Sequence, residues 1–227
     1  MVLTLPGCNN PGSSTGGQAW KILFEDDFNR SDTTGRDLGS NWTIYTAGVS
    51  DEMNISGNQV YSSYIDSGVG VMAVYNGAVD YTEKLRVSVK FKINHGGAWP
   101  VEIAGLALSM DVSTWEGYYF QLNYTGPDHV MKLAEFNGSI DVGVSTTNIA
   151  LANDTWYLLE LESDGILLTA TLKDETGTNV IGTVTLTDSP RTYTTGQVLF
   201  YNYTVDGVPD PTGDPVYFDD FELEAYR

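Results

Sequence analysis

From Trp20 to Arg227 the chain is built of short runs in which apolar and polar residues alternate, separated by clusters of Gly, Asn, Asp, Ser and Pro. No run has the three-to-four-residue apolar spacing of an amphipathic helix. The clearest run is 83–93, where Leu85, Val87, Val89, Phe91 and Ile93 alternate with Lys84, Arg86, Ser88, Lys90 and Lys92. A period of two with one greasy face predicts a half-buried strand. Asn137-Gly138 separates the runs 130–136 and 139–145, and Asp164-Gly165 separates 156–162 and 166–173. Such dipeptides supply the positive φ that two-residue hairpins need. Further strands are predicted over 21–28, 42–46, 52–55, 59–64, 69–75, 101–109, 117–124, 179–187, 196–203 and 215–226. About fourteen short strands call for two stacked sheets. No sequence repeat of fixed period points to a propeller or solenoid.

Composition narrows the reading. The chain has 227 residues, 41% hydrophobic and 12% aromatic, enough for one sandwich with a sizeable core. Its 11 Lys+Arg against 30 Asp+Glu give a net charge of −19, which repels nucleic acid and anionic membranes. That acidity suits divalent cations but by itself names no ligand. No apolar run reaches the length of a membrane span. A single cysteine, Cys8, rules out an internal disulfide framework. Residues 1–19 carry little bulk after Leu5 and no charge, so they are expected to form a flexible N-terminal arm ahead of a domain at 20–227. Two uses of the arm are open: attachment to protein partners, or a lipid anchor at Cys8, since Leu5-Pro6-Gly7-Cys8 looks like the tail of a bacterial lipoprotein signal.

The opening Leu23-Phe24-Glu25-Asp26-Asp27-Phe28-Asn29-Arg30, the following Leu38-Gly39-Ser40-Asn41-Trp42-Thr43 and the closing Val216-Tyr217-Phe218-Asp219-Asp220-Phe221-Glu222-Leu223 resemble the two ends of concanavalin A-like (laminin-G-like) domains. The stretches Trp115–Leu122 and Trp156–Glu162 fit the same pattern. The resemblance spans 21–227 and implies an all-β, antiparallel two-sheet jelly-roll sandwich. Domains of this kind occur in bacterial secreted proteins, as carbohydrate-binding modules, and in phage virion proteins.

Several groups could carry chemistry. Glu160, Glu162 and Asp164 share one strand face, as do Asp220, Glu222 and Glu224. Two carboxyls flanking a scissile bond would make a glycosidase. Each trio, however, backs onto an apolar face in the manner of a solvated outer surface, and neither matches the Glu-x-Asp-x-Glu order that the resemblance would ask of a hydrolase. The four cations of 84–92 are instead expected to pair with Asp220, Glu222 and Glu224 on a neighbouring last strand. His95 and His129 sit in loop-like sequence with no nucleophile motif beside them. Asp26 and Asp219, each in an Asp-Asp-Phe triplet, fall on the inward parity of their strands. Buried carboxylates need hydrogen bonds or a metal, which makes Asp26 and Asp219 candidate ligands of a structural Ca2+, with help from Asp206, Asp210 or Asp214. Sugar binding wants an exposed aromatic beside amides. With Tyr118, Phe120 and Leu122 turned inward, Tyr119, Gln121 and Asn123 share the outer face near Trp115, and Trp99 could supply a rim.

The expectation is a non-enzymatic binding or structural protein on a virion surface, such as a capsid decoration or tail-associated protein. Protein contacts would run through the arm, with a glycan as a candidate ligand. The alternative is a secreted or lipid-anchored bacterial carbohydrate-binding module or glycoside hydrolase.

Overall fold

A computed structural model describes residues 18–46, 52–63, 70–94, 102–125, 128–204 and 215–227. Its described residues form fifteen strands. One sheet holds β3 (Glu52–Ile55), β4 (Val60–Ser63), β6 (Lys84–Ile93), β11 (Tyr157–Asp164), β12 (Leu167–Asp174), β13 (Val180–Thr187) and β15 (Val216–Tyr226). They run in the order β13-β12-β11-β6-β15-β4-β3, and β1 (Trp20–Asp26) also pairs with β15. The other sheet holds β2 (Trp42–Thr46), β5 (Gly70–Tyr75), β7 (Glu102–Asp111), β8 (Glu116–Thr125), β9 (Asp128–Asn137), β10 (Asp141–Ile149) and β14 (Gln197–Thr204). Its order is β10-β9-β8-β7-β14-β5-β2, and every pairing in both sheets is antiparallel.

Alternation decides the layers. In β6 each of Leu85, Val87, Val89, Phe91 and Ile93 is buried and each intervening residue is half-buried, as the sequence pattern requires. The inner faces of the two sheets meet around Phe28, Phe91, Tyr118, Phe120, Phe200, Phe218 and Phe221, all essentially inaccessible to solvent. Trp42 stands edge-on between the sheets, its ring centroid 4.9 Å from that of Phe221 and 5.1 Å from that of Phe200. Aromatic pairs at such angles add to the gain from burial alone.

The outer face of the β6 sheet is an ion-pair lattice. β15 lies beside β6, with Glu224 opposite Arg86 and Glu222 opposite Ser88. Arg86 bonds to Glu224, and Lys90 Nζ lies 2.9 Å from Asp220. On the other flank Lys84 reaches Glu162 at 2.7 Å and Asp164 at 3.2 Å, while Glu160 takes Lys173 at 2.9 Å. The cation stripe is thus matched from both neighbouring strands, by Asp220 and Glu224 on one side and by Glu160, Glu162 and Asp164 on the other, while Glu222 stands opposite Ser88.

Two local expectations need correction. The β9–β10 connection is not a two-residue hairpin: Asn137 Oδ1 accepts the N–H groups of Ser139 and Ile140, which holds open a longer turn with Gly138 at φ 82°. His129 is not in a loop. It is a buried residue of β9 whose Nδ1 accepts the Leu151 N–H at 2.9 Å.

Candidate functional site

Residues of the seven-stranded sheet that point away from the core line up in rows across the strands. One row runs Tyr45, Met72, Tyr201, Gly105, Gln121, Lys132. The next runs Val74, Leu199, Ala107, Tyr119, Ala134, Val144. An outward face normally carries polar residues. Here Met72, Val74, Ala107, Met110 and Leu199 instead form a second buried apolar cluster, separate from the inter-sheet core. Met72, Ala107, Met110 and Leu199 of this cluster form the floor of a groove of about 900 Å³ walled by Tyr45, Trp115, Tyr119, Phe136, Tyr201 and Tyr203.

Gly105 makes the floor possible. A Cβ built there would stand 2.3 Å from Tyr201 Cζ, so the Tyr201 ring lies flat across the β7 backbone only because no side chain intervenes. Burial pushes the Tyr201 phenol well above its ordinary pKa and keeps it neutral.

Trp115 occupies the turn between β7 and β8. It is 45% exposed and sits at φ 63°, a left-handed conformation that a bulky residue adopts at a cost of about 1–3 kcal/mol. The turn is held by Asp111, whose Oδ1 accepts from the Ser113 N–H and hydroxyl, and by the Trp115 N–H donating to the Asp111 carbonyl at 2.7 Å.

Tyr119 is fixed on three sides. Its hydroxyl donates to Asp141 Oδ1 at 2.6 Å, Lys132 Nζ lies 5.3 Å from its ring centroid, and Phe136 meets it edge-on. Lys132 also binds the other Asp141 oxygen at 2.5 Å. Asp141 faces the groove because Val142 is an extra residue in β10: the register shifts between Asp141 and Gly143, which sets Asp141 opposite Phe136. Burial, followed by the Asp141 bond, drives the Tyr119 phenol far above its usual pKa. Beside it Gln121 Nε2 donates to Asn123 Oδ1 at 2.7 Å.

The structure therefore brings Trp115, Tyr119 and Gln121 together in the groove, with Asn123 beside Gln121 on the same side of the sheet but outside the groove lining, while Tyr118, Phe120 and Leu122 face the core. Trp99 and Cys8 lie outside the described residues, as do His95, Asp206, Asp210 and Asp214. Sequence reading missed Tyr45, Met72, Met110, Lys132, Phe136, Asp141 and Tyr201. One signal was present: in Gln197–Tyr203 the inward Val198 and Phe200 leave Leu199, Tyr201 and Tyr203 facing out.

The two aspartates proposed as calcium ligands behave differently from that expectation. Asp26 is inward and buried, but both its oxygens are taken. Arg30 grips them at 2.7 and 2.9 Å, Trp42 Nε1 donates at 2.8 Å, and the Phe28 N–H donates at 2.9 Å. Burial alone would raise this carboxyl, but the Arg30, Trp42 and Phe28 bonds outweigh it and hold the group below its ordinary pKa. A carboxylate clasped by a guanidinium does not fit a cation site. Asp219 does not keep the inward parity. With Asp220 at φ 46° and a register shift between Asp219 and Glu222, the bulge lets Phe218 and Phe221 both face in while Asp219 is half-buried. No cluster of three or more His, Cys, Asp or Glu side chains suited to a metal occurs among the described residues.

Burial pushes Asp219 up to about 6; the Asp220 N–H, donating to Asp219 Oδ1 at 2.9 Å, and the Lys90 charge oppose the rise, while the Asp220 and Asp27 carboxylates add to it. The native state then holds a proton that the unfolded chain has released, so Asp219 makes stability fall as pH rises from about 4 to about 6. Asp219→Asn is expected to raise the melting temperature at pH 7 and to flatten its slope between pH 4 and 6. An unchanged slope in scanning calorimetry would show that Asp219 titrates normally.

No family model matches the chain, and no curated protein matches it in sequence. Solved structures do match. The CBM2 module of the evolved Dit of Lactobacillus casei BL23 phage J-1 is similar at TM-score 0.64 and 14% identity, over 92% of this chain and 97% of that one. The exoplasmic/lumenal domain of VIP36 in its Ca2+/Man3GlcNAc-bound form is similar at TM-score 0.60 and 12% identity, over 80% and 84%. The winged bean acidic lectin complexed with methyl-α-D-galactose is similar at TM-score 0.60 and 8% identity, over 93% and 100%. At such identities the likeness is one of fold. The chain folds as an antiparallel jelly-roll sandwich of the concanavalin A-like type.

Proposed function

We propose that this chain is a non-enzymatic glycan-binding module displayed on a virion surface, with the groove of the seven-stranded sheet as its sugar site. The observation that carries this reading is Trp115, an exposed indole held in a strained turn at the rim of an aromatic groove. Tryptophan and tyrosine faces stack on the apolar face of a pyranose, and the amides of Gln121 and Asn123 with the Lys132–Asp141 pair offer donors and acceptors for its hydroxyls. Backbone strain collects at sites of use.

Catalysis is not part of the proposal. A glycosidase flanks the scissile bond with two carboxyls. Among the described lining residues the groove has one, Asp141, already engaged by Tyr119 and Lys132. The two acidic trios belong to the outer face of the other sheet, beside its cation stripe. Virion display is supported by the likeness to a phage-borne carbohydrate-binding module and by an uncharged arm at 1–19 suited to lying along a protein partner.

Screening the full chain on an array of bacterial surface glycans, followed by calorimetric titration of the best ligand, tests the reading. Trp115→Ala and Tyr119→Ala are each expected to weaken binding at least about tenfold, equivalent to about 1.4 kcal/mol. Trp115→Ala should leave the melting temperature no lower. Binding that survives both substitutions, or an array with no ligand, overturns the assignment.

A further inference from the structure

One side of the sandwich has two long stretches without charge. β10 and β13 end the two sheets on this side and lie against each other, Gly182 having no side chain where a Cβ would meet Ile149 at 2.9 Å. Residues 142–153 and 176–187 contain no Asp, Glu, Lys or Arg, in a chain of net charge −19. Apolar side chains stand out in their place: Val142 is 52% exposed, Val144 50% and Val180 60%. At the opposite margins β2 has five residues and β3 four, the short length that protects a sheet edge. β10 has nine, and past its bulge the register with β9 is regular from Val144 to Ile149. It is thus a long edge, uncharged beyond Asp141, which the bulge turns into the groove and Lys132 pairs, and not blocked by proline; its free backbone N–H and C=O groups suit another strand.

We infer that this side is a self-association surface, in which β10 pairs antiparallel with β10 of a second copy about a two-fold axis. The occupant follows from charge. Two copies at −19 repel each other through any face that displays carboxylates, and the uncharged stretches 142–153 and 176–187 offer exposed Val142, Val144 and Val180 for burial in their place. A symmetric contact needs a self-complementary patch. An axis through Ser145 sets Val144 opposite Thr146 of the partner subunit, a β-branched pair of the kind that stabilises adjacent strands. The pairing would join two seven-stranded sheets edge to edge and set two grooves on one continuous surface. It stands apart from the glycan reading, since it uses none of the groove's aromatic residues.

Sedimentation analysis of the full chain across a micromolar concentration series tests the inference. The wild type is expected to dimerise, and to do so more tightly as salt screens the remaining repulsion. The Val142→Lys, Val144→Lys double variant puts four like charges along the paired strands, the two at position 144 diagonal neighbours across the axis, and is expected to weaken the dimer by at least about tenfold, with unchanged circular dichroism and melting. A wild type that stays monomeric over the series overturns the inference. So does a double variant that dimerises as the wild type does, which would move the contact elsewhere, the arm at 1–19 included.

Discussion

Asp26→Ala is expected to lower the free energy of unfolding by about 3 kcal/mol, since Asp26 is buried and its loss leaves buried donors unpaired, while Arg30 itself keeps solvent contact. The substitution strands three donors at once: the Arg30 guanidinium, the Trp42 indole N–H in the core, and the Phe28 N–H. Arg30 also holds the Leu38 carbonyl at 2.6 Å, so its loosening reaches the loop between β1 and β2. Urea unfolding should show a lower midpoint with an unchanged slope. The sign of the pH effect is set by the depressed carboxyl. Its contribution is complete above the unfolded value near 4 and disappears as pH falls through the lower native value. The gap between wild type and Asp26→Ala should therefore close on acidification below about pH 4. A loss of no more than about 0.5 kcal/mol at pH 7 would mean that the clasp contributes nothing.

The second large effect is expected at Arg86. Its guanidinium bonds Glu224, comes within 4.0 Å of Glu160, and lies 4.3 Å from the centroid of Trp20. Glu224 is only 8% exposed, so Arg86→Ala leaves a nearly buried carboxylate without its cation and removes the cover over Trp20. The loss should be about 3 kcal/mol, the low end for a buried pair because Arg86 itself keeps some solvent. Glu224→Gln in the Arg86→Ala background should recover part of it. A double-mutant cycle measures the coupling directly, and additive losses would show that the two side chains do not depend on each other.

Much of this architecture was readable in the chain. Strand positions follow from the period of two, and the 83–93 run maps onto β6 with every apolar residue inside. The cation stripe and its acidic partners were readable because β15 and β6 carry opposite charges on matching faces. What escaped was information that local pattern does not hold. The bulge at Asp219–Glu222 breaks the alternation that a parity argument assumes, and the bulge at Asp141–Gly143 turns an edge carboxylate into the groove. Asp26 looked like a metal ligand because Arg30, four residues on, reads as a loop cation until the chain folds back on itself. The groove needed the register of several strands together. Tyr119, Gln121 and Asn123 were visible as one face of one strand, but Tyr45, Met72 and Tyr201 reach them only through the order of the sheet.

The rows that cross the seven-stranded sheet bear on how such a protein can change. Each strand contributes one outward residue to a row, and its inward neighbours belong to a different cluster. Groove lining and folding core are therefore written in interleaved positions of the same strands. An outward letter can be exchanged without rewriting the inward word, so the groove's lining can change by single steps, strand by strand. Gly105 and Gly70 are exceptions, since a side chain at either must first displace Tyr201 or Tyr203.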